Sequence, residues 1–256
     1  MDPNKDIRSA IARVKHTSTH SGRKALGLFS LEGTRAVERA LRADTPIDLV
    51  VTSESFTGQR EQDVLHLLKQ REISIHILSA TVMNELTEGR NYGQIIALSP
   101  IPDPPTLPEQ GLFVVASDIA DPGNVGGMIR TCLAAGADGL IATGASDPWH
   151  PKAVRTSMGS IFKLPIYPME EATLLKLRGK KFATTPLAQT PINQATRDPQ
   201  RTFVFMGSEA FGLSSELLEA IEFHLRIPMA DGVDSFSVNV ATGVVLYELL
   251  HGSTDS

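Results

Sequence analysis

From residue 112 onward, short apolar runs recur with helix-length stretches between them, and this alternation limits the possible folds more than any other feature of the chain. LFVVASD (112–118), GLIATG (139–144), FATTPL (182–187) and FVFMGS (203–208) have the length and composition of strands. Strands separated by helices of ten or more residues cannot close as tight hairpins, so they pair in parallel through right-handed crossovers. The expected class is α/β with a parallel sheet, in which ligands sit beyond the carboxyl ends of the strands. The chain closes on VNVATGVVLYELLHG (238–252), a helix ended by Gly252.

A similar rhythm precedes residue 99. IDLVVTS (47–53), ISIHIL (73–78) and QIIALS (94–99) are expected strands, and GQREQDVLHLLKQ (58–70) gathers Val64, Leu65, Leu67 and Leu68 on one helical face. Between the halves, SPIPDPPTLPEQ (99–110) holds five prolines in twelve residues, which supports neither a helix nor a central strand. The expected organisation is therefore a small α/β domain (1–98), a proline-rich linker (99–110) and a second α/β domain (111–256).

No apolar run reaches the roughly 18 residues of a membrane span, and MDPNKDIRSA lacks the apolar centre of a signal peptide, so a cytoplasmic protein with no membrane partner is expected. A single cysteine, Cys132, forms no disulfide within the chain and anchors no zinc; no metal is expected, and the thiol reads as a small packed side chain. Net charge is −5, yet residues 1–45 carry 9 Lys and Arg against 5 Asp and Glu, leaving 15 against 24 for the remainder. Basic charge concentrated at one end suits a phosphate backbone, although a solvated helical surface gives a milder version of the same asymmetry.

Three constellations carry chemistry. In DIADPGNVGGMIRTCLAAGADG (118–139), Pro122 and Gly123 turn the chain, Asn124 is placed to cap the next helix, and Gly126 and Gly127 allow close backbone approach. This is not the G-x-G-x-x-G dinucleotide fingerprint. Arg130, six residues after Asn124, stands near the electropositive start of that helix and needs an anion, either Asp118 or Asp121 or a substrate phosphate. In FVFMGSEAFGLSSELLE (203–219), Gly207 and Gly212 would leave amides open to a ligand, Glu209 is an acceptor between them, and Ser214 or Ser215 caps the following helix. In LRIPMADGVDSFSVNVATGVVLYELL (225–250), a strand is expected to end at Ile227-Pro228-Met229. Ser235, Ser237 and Asn239 then alternate at the entry to the last helix, as caps or as ligand contacts. Trp149 and His150, between prolines, fill a loop or stack on a base.

DPGNVGGMIRT, FMGSEAFGLSSE and IPMADGVDSFSVNVATG resemble, in order and spacing, the three motifs of the SPOUT methyltransferases, specifically the TrmH/SpoU branch of RNA ribose 2′-O-methyltransferases. WHPKAVRTSMGSIFKLPI (149–166) resembles that family's segment between motifs one and two, and KALGLFSLEGTRAVERAL (24–41) its L30e-like substrate-binding domain. The resemblance implies a parallel-sheet SPOUT domain with a C-terminal trefoil knot, S-adenosylmethionine as cofactor, and a homodimer in which motif-one residues reach across the interface. Cofactor contacts are implied at Gly207, Glu209, Gly212, Ile227, Met229, Ser235, Phe236 and Ser237, and catalytic roles for Arg130, Asn124, Glu209 and Ser235. RNA contacts are implied at Arg23, Lys24, Arg35, Arg130 and Arg155, with ribosomal RNA favoured over transfer RNA as the structured partner. A guanidinium, which stays protonated at any physiological pH, is a poor base; Arg130 is better suited to gripping phosphate and stabilising a developing alkoxide, with Glu209 or a water as proton acceptor. A non-catalytic RNA binder of the same fold, or a base-methylating relative, is the alternative. One departure stands out: the family pattern S-L-N-V-S is here Ser235-Phe236-Ser237-Val238-Asn239, with asparagine and second serine exchanged.

Overall fold

A computed structural model describes residues 3–89 and 94–252. The chain forms two compact units, Met1–Asp103 with Trp149–Phe162, and Pro104–Pro148 with Lys163–Ser256. The first unit opens with α1 (Pro3–Thr17), α2 (His20–Leu26), β1 (Leu28–Glu32), α3 (Thr34–Arg42), β2 (Leu49–Ser53), α4 (Gln59–Gln70), β3 (Ser74–Leu78), α5 (Ala80–Leu86) and β4 (Ile95–Pro100). The second begins with β5 (Gly111–Ser117), α6 (Pro122–Ala135) and β6 (Gly139–Thr143). The chain then returns to the first unit for α7 (Pro151–Thr156) and a 3₁₀ turn, Ser160–Phe162. The second unit is completed by β7 (Ile166–Pro168), α8 (Glu171–Lys176), β8 (Lys180–Thr184), β9 (Arg201–Met206), α9 (Ser215–Ala220), β10 (Phe223–Leu225) and α10 (Val238–His251).

The sheet of the second unit has the order β10-β8-β9-β5-β6-β7 and every pairing is parallel. Parallel strands covered on both faces read as continuous apolar runs, and β9 is buried at every residue, β5 at all but its first. Phe113, Phe203 and Phe205 are fully buried there; such side chains contribute about 1.5–3 kcal/mol each through burial. From β5 the chain steps outward through β6 to β7, whereas β9 and β8 lie on the other flank of β5. The β5/β9 boundary is thus where the crossovers diverge, and ligands of such sheets sit beyond the carboxyl ends of the strands. Cys132 lies inside α6, fully buried, and burial holds its thiol well above the usual range.

The smaller sheet, β1-β4-β2-β3, is mixed: β4 runs antiparallel to both β1 and β2, while β2 and β3 are parallel.

Several boundaries differ from the sequence expectation. β4 continues through Ser99 to Pro100, which pairs with Leu28, so the first proline closes a strand instead of opening the linker. The segment 149–162, expected within the second domain, packs in the first unit. Trp149 packs against Phe29, the ring centroids 4.8 Å apart and the planes tilted by 46°. Arg155 pairs with Glu32 at 3.1 Å, and Arg39 lies over Gly159, whose left-handed backbone (φ 91°) leaves no room for a Cβ beside it. β10 ends at Leu225, so Ile227, Pro228 and Met229 belong to the following loop.

Candidate active site

Helix α6 begins earlier than its glycines suggest. Asp121 is its N-cap, accepting from the backbone N–H of Asn124 at 3.0 Å, and Pro122 occupies the first turn where its missing N–H costs nothing. Asn124 is therefore not the cap, and its side chain is free for other work. It extends from the first turn of α6 toward the β9–α9 loop, where its Nδ2 donates to the Glu209 carboxylate. Its Oδ1 accepts from Asn239 Nδ2 at 3.1 Å, near the start of α10. The crossover geometry brings all three motifs together at these side chains.

The β9–α9 loop folds on itself. Ser208 and Gly212 exchange backbone hydrogen bonds at 3.1 and 2.8 Å, and Gly212 takes the left-handed conformation, φ 69°. A Cβ at Gly207 would lie 2.2 Å from the carbonyl carbon of Gly212. The two glycines serve the closure of the loop, and the amides of Ser208 and Gly212 are consumed by it, not left open as expected. Ser214, of the two candidates, caps α9, its side chain accepting from Leu217 N.

Beyond the carboxyl ends of β8, β9 and β10 lies a cavity of about 420 Å³. Gly207, Glu209, Gly212, Ile227, Met229, Ser235 and Phe236 line it; of the expected cofactor contacts, only Ser237 stands outside, at the N-cap position of α10. Sequence reasoning missed Thr184 to Leu187, Phe211 and Asp234, which also line the wall. A signal was present in FATTPL: a polar pair and a proline closing a parallel strand mark a strand end that faces the crevice. Among the described residues the wall is mostly apolar, carries the carboxylates of Glu209 and Asp234, and contains no Lys, Arg or His. Such a lining repels phosphates and favours a ligand with an apolar body and positive charge.

Arg130, the ninth residue of α6, is beyond the helix start that motivated an anion there. It is exposed, does not line the cavity, and has no hydrogen bond or ion pair among the described residues, with Asp118, Asp121 or any other group. At the carboxyl end of the same sheet, burial and then the neighbouring Asp118 and Glu216 hold the Glu171 carboxyl above the usual carboxylate range. Among the described residues, no group of three or more His, Cys, Asp or Glu is placed to hold a metal.

The model of the SpoU rRNA methylase family matches residues 111–247, and that of the RNA 2′-O ribose methyltransferase substrate-binding domain matches residues 30–104. The chain belongs to the SpoU methylase family. It is 32% identical, over 93% of its length and 89% of the relative's, to an uncharacterized tRNA/rRNA methyltransferase of Synechocystis sp.. It is 26% identical to the 23S rRNA (guanosine(2553)-2′-O)-methyltransferase RlmP of Bacillus subtilis, over 92% of this chain and 93% of that one. A crystal structure of an AdoMet-bound rRNA methyltransferase from Sinorhizobium meliloti superposes with a TM-score of 0.81 at 25% identity, covering 93% of each chain. As a family member the chain is an S-adenosylmethionine-dependent RNA 2′-O-methyltransferase with a SPOUT fold.

In the substrate-binding unit of this family member the expected RNA contacts divide. Arg23 is 2% exposed and donates to the carbonyl oxygens of Thr17 (2.9 Å) and Ser18 (3.2 Å), tying α1 to α2. A guanidinium so placed holds the fold. Arg23→Ala is expected to cost about 2–3 kcal/mol, since two carbonyls lose a charged donor, and to leave RNA affinity unchanged, as urea unfolding and filter binding would show. Lys24 is exposed. Arg35 and Arg155 line a second cavity of about 420 Å³, together with Arg39 and Arg60. Arg60 is tied to Glu38, and the hydrogen bond from Arg60 holds that carboxyl below its usual range. Arg155 is engaged by Glu32. Arg35 and Arg39 form no ion pair among the described residues.

Proposed function

We propose that the chain transfers the methyl group of S-adenosylmethionine to a ribose 2′-hydroxyl of ribosomal RNA, using the cavity at the carboxyl ends of β8, β9 and β10. The observation that carries this reading is the wall itself: among the described residues it has apolar surfaces, two carboxylates and no cation, and it is linked through Glu209 to Asn124 of the neighbouring motif. S-adenosylmethionine fits such a wall, having a cationic sulfonium, a cationic amino group and an apolar adenine face. When bound, it supplies an electrophilic methyl group. Ile227, Met229 and Phe236 offer the apolar faces, Glu209 and Asp234 the negative charge, and Ser235 a hydroxyl at the rim.

The protein must hold the ribose oxygen in line with the methyl and provide for the departing proton. Glu209, held by the donor on Asn124, is the acceptor assigned to that task, directly or through water. Arg130 grips the phosphate beside the target ribose and steadies the developing alkoxide. Ribosomal RNA is favoured because RlmP and two Streptomyces relatives are named as 23S rRNA 2′-O-methyltransferases. Labelled methyl transfer to total ribosomal and transfer RNA tests this, with nuclease-resistant dinucleotides distinguishing ribose from base methylation. Uptake confined to transfer RNA would overturn the substrate, and absence of ribose methylation in any RNA would overturn the activity.

The protein acts in the cytoplasm as a homodimer with a knotted C-terminal segment. Supporting the dimer, Val240 and Tyr247 lie seven residues apart on one stripe of α10, 49% and 66% exposed, and Arg130 is absent from the cavity wall of its own chain. Supporting the knot, the 207–213 loop and the 227–236 segment line one cavity. Val240→Glu with Tyr247→Glu is expected to convert a dimer to a monomer in sedimentation experiments and to abolish transfer.

The arginine-lined cavity of the first unit is the RNA-backbone grip. Replacing Arg35 and Arg39 together by glutamine is expected to lower RNA affinity and to flatten its dependence on salt, by about 0.7–0.9 in logarithmic slope for each phosphate no longer neutralised. Cofactor affinity stays unchanged, as calorimetry with S-adenosylmethionine would show.

A further inference from the structure

Asn239 is the second residue of α10, and its side-chain amide lies against α6 at Gly127. A Cβ at position 127 would come within 2.6–2.7 Å of the Oδ1, Cγ and Nδ2 atoms of Asn239. The glycine therefore makes room for that amide, and the room places Asn239 Nδ2 3.1 Å from Asn124 Oδ1.

Direction is what this hydrogen bond decides. An asparagine head presents a carbonyl on one side and an NH₂ on the other, and half a turn exchanges them. Asn124 can thus offer Glu209 either a donor or an acceptor. An ionised carboxylate accepts only, so a carbonyl turned toward it sets two lone-pair groups against each other. By donating to Asn124 Oδ1, Asn239 occupies the carbonyl and leaves the NH₂ for Glu209. Hydrogen bonds then run one way, from Asn239 to Asn124 to Glu209. At the far end, Asn239 Oδ1 is buried without a partner among the described residues, the cost of holding the chain in this sense.

We propose that Asn239 is a positioning residue, which sets the orientation of the Asn124 amide and thereby the donor that fixes the Glu209 carboxylate at the cavity wall. The assignment rests on the reading of Asn124 and Glu209 as residues of the methyl-transfer site. It also gives the exchange of serine and asparagine between positions 237 and 239 a consequence: the asparagine is placed to act on motif one, while Ser237 stays outside the cavity.

Asn239→Asp and Asn239→Ala separate orientation from packing. Aspartate is nearly isosteric but presents only acceptors, so it withdraws the donor to Asn124 Oδ1 and competes with Glu209 for the Asn124 NH₂, which is then no longer held to Glu209 alone. Alanine removes the hydrogen bond without introducing that competition. Because a negative charge in the first turn of a helix is favourable, Asn239→Asp folds. The expected result is a fall in kcat of about tenfold or more for Asn239→Asp, a smaller fall for Asn239→Ala, and KM for RNA within about twofold in both. In an Asn124→Ala background, Asn239→Asp has no further effect. A readout independent of turnover is the side-chain amide signal of Asn124 in the ¹⁵N-labelled full chain. Its carboxylate-bonded proton shifts and exchanges faster in Asn239→Asp.

An alanine variant as impaired as the aspartate variant, or an unchanged Asn124 amide signal in Asn239→Asp, overturns the proposal. If the wild-type chain methylates no RNA, the parent reading fails instead, while the amide signal still decides the orientation.

Discussion

Arg130→Ala is expected to lower methyl transfer to ribosomal RNA by about 10²–10³-fold, the effect typical of removing one group aimed at developing charge, with fold and cofactor affinity intact. The reasoning begins with exposure: Arg130 packs into no core and pairs with no carboxylate among the described residues, so its removal leaves nothing buried without a partner. Substitutions of that kind usually move stability by less than about 0.5 kcal/mol. It also stands outside the cavity wall, so the cofactor keeps every neighbour on its own chain. What remains is the proposed interaction with the substrate, in which a planar guanidinium would hold a phosphate through two parallel hydrogen bonds. Arg130→Lys keeps the charge but not the fork, and recovers only part of the rate. Transfer assays, thermal unfolding and calorimetry with S-adenosylmethionine measure the three quantities separately. Loss of cofactor binding in Arg130→Ala would relocate the residue into the cofactor site, and an unchanged rate would remove it from the reaction.

The parts legible in the sequence were those with a strong local cause. Strands β5 and β9 are buried on both faces, so their apolar runs could take few other forms. Strands of three residues, β7 and β10, leave too little pattern, and the end of β10 was accordingly placed too late. Within the site, most expected cofactor contacts line one cavity because loops that follow adjacent parallel strands open on the same side. Arg23 was illegible for a physical reason: a buried guanidinium that caps carbonyls and a solvated one that meets phosphate have the same sequence neighbourhood. Only packing tells them apart. The same holds for segment 149–162, where a tryptophan between prolines signalled apolar surface to be covered but not which unit would cover it. Asn124 was assigned a capping role that Asp121 performs, and this frees it for Glu209.

The two glycines of the β9–α9 loop look equivalent in the sequence, yet they are expected to respond very differently to alanine. At Gly207 the added Cβ meets backbone, 2.2 Å from Gly212 C and 2.4 Å from both Gly212 O and Leu213 N. Backbone held in a reciprocal hydrogen-bonded bridge cannot rotate aside as a long side chain can. The 208–212 loop must therefore move as a body, carrying Glu209 away from Asn124 and opening the cavity wall. Overpacking of this kind costs about 1–3 kcal/mol, and if it falls on the bound state it weakens S-adenosylmethionine by roughly 10–100-fold. At Gly212 the added Cβ meets nothing within 4 Å, and the only cost is the left-handed backbone, φ 69°. For alanine that conformation costs about 1 kcal/mol, and for asparagine, which adopts it more readily, less. Calorimetric titration of the cofactor should therefore rank affinity as wild type, Gly212→Asn, Gly212→Ala and, well below these, Gly207→Ala. Normal binding by Gly207→Ala would show that the loop is compliant and that the cofactor does not depend on this wall. A larger loss at Gly212 than at Gly207 would mean that the left-handed turn, and not the backbone crossing, shapes the site.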